Sequence, residues 1–131
     1  MSSKQDSMMQ VSVPDIAPPG GHYAHATTAA GLVFISGQLP IDPVGGKLNQ
    51  APFARQAERA IDNLLAVLKA AGSGPEHLLK VNVYVVGIDH WPEFDRIYAQ
   101  RLGPHRPARA VIPVPELHHG FLVEIDGIAA A

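Results

Sequence analysis

The sequence predicts an α+β fold, a mixed sheet with two helices packed on one face, and three observations lead there. Apolar residues recur at three- and four-residue steps over 52–71 and again over 91–102. Around these stretches lie short runs of branched apolar residues, some alternating with polar ones. Their order along the chain reads β-β-α-β-α-β-β, so sheet and helices share one core.

Residues 1–20 begin polar and end in "VPDIAPPGG", the composition of a loosely held N-terminal arm, in which Val11–Val13 can add an edge strand. Residues 21–131 form a single domain. "HYAHATTAAG" is a strand running into a turn at Gly31, and "LVFISGQLPI" is a buried strand that stops at Gly37. "DPVGGKL" is a turn between extended segments.

From Pro52 to Ala71 the residues Phe53, Ala57, Ile61, Leu64, Leu65 and Leu68 make one helical stripe. Pro52 suits a first helical turn and Gly72 the position just past a helix end. "KVNVYVV" at 80–86 alternates Val81, Val83 and Val85 against Lys80, Asn82 and Tyr84. "WPEFDRIYAQRL" opens with Pro92 in its first turn and sets Phe94, Ile97, Tyr98 and Leu102 at helical spacing. "ARAVIPV" and "FLVEIDGIA" complete the strands. Ile35, the Val81 series and Ile125 outnumber what one helical layer needs, so the second sheet face is expected to be apolar and covered by another copy.

The bulk numbers narrow the function. A chain of 131 residues, 47% apolar and 17% charged, suits one globular domain. Its net charge of -2 gives no general pull toward nucleic acid or an anionic membrane. No apolar run approaches the roughly 20 residues of a membrane span, and "MSSKQDSMMQ" has no signal-peptide core. Cysteine is absent, which removes disulfides and thiolate chemistry and makes the cytoplasm the default compartment. The seven histidines show no HExxH pattern and no acidic cluster, so no metal site is assigned.

Two ionisable groups stand among apolar strand residues: Arg109 in "RPARAVIPV" and Glu124 in "LVEIDGIA". They form a salt bridge or solvated edge positions, or they line a pocket. In the second case Arg109 takes a carboxylate in a bidentate fork and Glu124 positions or deprotonates a water. Tyr23, after "PPGGH", either packs or closes over a ligand. Ser36 and Gly37 either turn the chain or face a cavity. "FISGQ" is no nucleophile elbow, and neither "APPGGH" nor "PVGGKL" has phosphate-loop spacing.

Taken together and in order, "LVFISGQLPIDPVGGKL", "QAERAIDNLLAVLKAAGSGPEHLLKVNVYV", "RPARAVIPV" and "VEIDGIAA" resemble the RidA family, also called YjgF, from about Tyr23 to the C-terminus. The resemblance implies a chorismate-mutase-like fold and homotrimers with pockets at the subunit interfaces. It implies hydrolysis of reactive enamines and imines, such as 2-aminoacrylate, to 2-keto acids and ammonia without a cofactor. It also assigns roles: Arg109 binds the substrate carboxylate and Glu124 places the attacking water. Tyr23, Ser36, Gly37 and the backbone of Val111 contact the ligand.

This chain departs from the family's usual pattern near the Tyr, with His22 for Pro and His25 for Gln. Val111 replaces a common Cys, Asp95 stands where Asn is frequent, and "VPELHHG" replaces a Leu-Pro-Lys type of turn. Asp95 and His25 are thereby added as candidates for proton transfer. A non-catalytic module that binds small carboxylates such as 2-keto acids is the alternative to a deaminase. An endoribonuclease ranks last, because 10 scattered Lys and Arg are outnumbered by 12 acids. The expected partners are therefore an imino or keto acid and further copies of the chain, with neither nucleic acid nor membrane.

Overall fold

The computed structural model describes residues 8–131. Its strands are β1 (Met9–Gln10), β2 (Ala26–Ala29), β3 (Leu32–Gln38), β4 (Ile41–Asp42), β5 (Gly46–Lys47), β6 (Leu78–Val85), β7 (Ala108–Pro113) and β8 (Val123–Ala130). Helix α1 is Phe53–Ala70 and α2 is Trp91–Leu102. The main sheet has the order β1-β2-β3-β8-β6-β7, while β4 and β5 pair as a separate small hairpin. Every neighbour in the main sheet is antiparallel except β6 and β7, which are joined through α2 and run parallel.

The helices begin and end within a residue of where the sequence predicts. Past α1, Gly72 takes φ +77°, its N–H donates to Lys69 O at 3.0 Å, and the Ser73 N–H donates to Leu68 O at 2.9 Å. This pair of bonds satisfies two end carbonyls, and only glycine adopts that backbone without strain. Phe94, Ile97, Tyr98 and Leu102 of α2 are all buried.

Three expectations need correction. The strand read over "HYAHATTAAG" is shorter, Ala26–Ala29 alone, and the next strand continues past Gly37 to Gln38. The edge strand of the arm is Met9–Gln10 rather than Val11–Val13. Val13 and Ile16 instead enter the core, so this part of the 1–20 arm is held by burial rather than loose, while residues 1–7 lie outside the described residues.

The third correction concerns the second sheet face. Ile35, Val81, Val83 and Ile125 do not spill onto it: all are buried under the helices. The register explains why. Val83 pairs with Ile125, so both point the same way, and strand alternation sends the whole set toward α1 and α2. The uncovered face carries Phe34, Asn82, Tyr84, Glu124, Asp126 and Ile128, all partly exposed. There Asn82 Nδ2 donates to Asp126 Oδ1 and Tyr84 Oη donates to Asp126 Oδ2, each at 3.0 Å. A surplus of branched residues therefore gives no argument for a further copy.

Two polar residues hidden in the α1 stripe position the loops around the sheet. Gln56, fully buried, donates from Nε2 to Ala51 O at 3.0 Å and accepts the Leu122 N–H at 2.9 Å. Asn63 donates to both Leu39 O and Ile41 O at 3.0 Å, which fixes the chain leaving β3.

Candidate functional site

Arg109 lies on β7, the last strand of the sheet, level with Val81 of β6. Parallel neighbours share a face, so its side chain points to the helical side. Its guanidinium meets α2 there, with Nη1 2.8 Å from Asp95 Oδ1 and Cζ 4.8 Å from the centre of the Tyr98 ring. Asp95 and Tyr98 are three residues apart on one helix face, and this spacing builds a carboxylate and a ring into one wall. Asp95, Tyr98, Pro104, Arg106, Pro107 and Arg109 line an open cleft of about 680 Å³.

Tyr98 is 7% exposed, and its hydroxyl has no hydrogen-bond partner among the described residues. Burial pushes its pKa up to about 12 against the pull of Arg109, so the phenol keeps its proton.

The backbone of β7 leaves donors along the sheet edge, which is unpaired among the described residues. The Val114 N–H donates to Val85 O at 2.9 Å. Alternate residues of a parallel strand turn to the same side, so Ala108, Ala110 and Ile112 face β6. Arg109 and Val111 then present their backbone N–H and C=O groups to the free edge. Pro113 shares that outward parity, so its missing N–H costs the ladder no bond.

Glu124 sits elsewhere. It is level with Tyr84 and points to the uncovered face, two strands away from β7, or roughly 10 Å. Between Ile35 and Gln38 the β3–β8 register shifts, and the irregularity contains Ser36 and Gly37. A Cβ on Gly37 would run into the Glu124 carboxylate, so the glycine makes the space that carboxylate occupies. Burial holds the Glu124 carboxyl above its ordinary range, opposed by nearby His118 and reinforced by Asp126.

Ser36, Tyr23 and His25 gather instead where the chain before β2 meets the end of β3. The Ser36 N–H donates to His25 O at 2.9 Å and Ser36 Oγ donates to Ala24 O at 2.6 Å, pinning the bulge to the chain before β2. Tyr23 is half exposed, accepts the Gly20 N–H at 3.3 Å and meets His25 edge-on at 6.3 Å. His25 is buried with both ring nitrogens engaged: Nε2 donates to Ala17 O at 2.8 Å, and Nδ1 accepts from Gln38 Nε2 at 3.3 Å. It fastens the arm to β3. The hollow that Tyr23, His25, Gly37 and Gln38 help to line has a volume of about 40 Å³, room for little more than a water.

Arg109 and Glu124 thus lie on opposite faces of the sheet. Asp95 stands with Arg109 on the helical side, and Gly37 stands against Glu124 on the other. The sequence suggested Arg109 and Glu124 as partners in a pocket, and a single chain does not bring them together. Tyr98 was read as core alone, since its place on the apolar stripe gives no sign that a guanidinium rests on its ring.

The family described as Endoribonuclease L-PSP matches residues 15–131. Protein HMF1 of Saccharomyces cerevisiae is 38% identical over 108 residues, covering 82% of this chain and 83% of its own. A human 2-iminobutanoate/2-iminopropanoate deaminase is 31% identical over 125 residues, covering 94% of this chain and 91% of its own. The crystal structure described as a putative endoribonuclease L-PSP from Entamoeba histolytica superposes with a TM-score of 0.91 at 31% identity, over 95% of this chain and 99% of that one.

Proposed function

The chain belongs to the Endoribonuclease L-PSP family, the one its motifs resemble under the name RidA, and from that premise we propose that it hydrolyses 2-aminoacrylate-type enamines and imines to 2-keto acids and ammonia. The observation that carries this reading is Arg109: a guanidinium at the rim of an open cleft, backed by the Tyr98 ring and flanked by the free backbone edge of β7. A planar fork there suits a small carboxylate. The relation to a human imine deaminase supports the choice of reaction.

The chemistry asks for little. The enamine tautomerises to the imine, water adds to the C=N carbon, the C–N bond breaks, nitrogen leaves as ammonia and the keto C=O forms. Arg109 holds the carboxylate and Glu124 orients the water and takes its proton, a task that a carboxylate with a raised pKa suits. Because the two groups lie on opposite faces of one sheet, the working site joins Arg109 of one copy to Glu124 of the next. A contact between two different surface patches closes into a ring when its rotation allows and otherwise runs on as a filament, and a homotrimer is the ring proposed here.

The experiment generates 2-aminoacrylate in situ with a serine or cysteine lyase and follows keto acid and ammonia against the spontaneous rate. The protein is expected to accelerate release, and Arg109→Ala to return it to the spontaneous rate with the oligomer intact. Full activity in Arg109→Ala refutes the clamp. No acceleration across a panel of imino acids leaves a carboxylate-binding module instead.

A further inference from the structure

We propose that Asp95 makes the Arg109 cleft selective for acids that carry a positively charged nitrogen beside the carboxylate, iminium or ammonium, over the keto acid of the same skeleton. The inference rests on the reading of Arg109 as a carboxylate clamp and adds what the rest of the ligand must be.

Asp95 Oδ1 lies 2.8 Å from Arg109 Nη1, both side chains line the same cleft, and the Asp95 side chain is 44% exposed, open to a ligand rather than sealed in the fold. A guanidinium has five N–H donors, so Asp95 engages one flank and leaves the others for a second carboxylate. An incoming acid therefore meets a cation and an anion side by side. Its carboxylate gains from Arg109 but is repelled by Asp95, and nothing else on a plain carboxylic acid offsets that repulsion. A nitrogen cation on the α carbon does, because it stands two bonds from the carboxylate carbon and within reach of the neighbouring carboxylate.

The buried Tyr98 ring beneath Arg109 excludes water from one side, which strengthens all these terms. Hydrolysis replaces the charged nitrogen with a neutral carbonyl oxygen, so the product forfeits the Asp95 contact and keeps the repulsion. The same residue favours substrate entry and product release.

A purely structural ion pair between α2 and β7 would change stability when broken but not the ratio of two ligands. The test is accordingly a ratio. Alanine and pyruvate, which share a carbon skeleton, are titrated by calorimetry or NMR into the intact wild-type oligomer and into Asp95→Asn. Wild type is expected to bind alanine more tightly than pyruvate. In Asp95→Asn the preference should fall roughly fivefold, the worth of a partly exposed ion pair, largely because pyruvate binds better.

Equal binding of the two ligands by wild type, no saturable binding of either, or an unchanged ratio in the variant overturns the proposal. A deaminase whose ratio does not change loses this inference alone. A selective binder without turnover keeps it and loses the deaminase reading.

Discussion

Leaving a buried hydroxyl without a partner costs on the order of 1–3 kcal/mol, and among the described residues Tyr98 holds such a hydroxyl under Arg109. The ring is what supports the guanidinium, and phenylalanine supplies a ring as well. Tyr98→Phe should therefore stabilise the protein by about 1 kcal/mol, read as a higher urea midpoint with an unchanged slope. A lower midpoint would mean that the hydroxyl does find a partner in solution. At this scale the sequence was only partly legible. Arg109 and Glu124 stood out because ionisable groups are rare among branched strand residues. Their opposite facing did not, since "ARAVIP" has no clear alternation and its parity follows only from parallel pairing with β6. His25 read as a loop histidine, and its two hydrogen bonds come from residues 8 and 13 positions away.

Helices α1 and α2 were legible almost to the residue, because an apolar period of 3.6 with proline at the start and glycine past the end is a strong local signal. What escaped is the polar part of the buried α1 face. Gln56 and Asn63 fall on the stripe, but polarity hides them from any hydrophobic count, and their partners lie in distant loops. Gln56 spans the chain before α1 and the start of the segment leading into β8. Replacing it by leucine keeps the volume but strands the Leu122 N–H and the Ala51 carbonyl. Gln56→Leu should cost about 2–4 kcal/mol in urea unfolding, whereas a neutral result would show that water replaces both bonds. The excess of branched residues misled the reading of the sheet for a related reason: composition counts residues, and only register tells which face they occupy.

The largest consequence for the whole molecule is that Arg109 and Glu124, facing opposite ways on one sheet, do not meet within one chain. Arg109→Ala and Glu124→Ala should each be inactive alone. Refolded together at equal amounts, they should recover roughly a quarter of the wild-type rate, because in a heterologous ring one interface in four draws an intact Arg109 from one copy and an intact Glu124 from its neighbour. No recovery in mixed oligomers would mean that both groups act from the same chain. The sheet order has a consequence of another kind. β8 lies between β3 and β6 and is the last strand in chain order. Strands β1–β3 and the β6–α2–β7 unit therefore have no sheet in common until β8 is synthesised and inserts between them. Assembly is dominated by long-range pairing, which is slow, and the unpaired edges of β3 and β6 remain open to wrong partners until that late strand arrives.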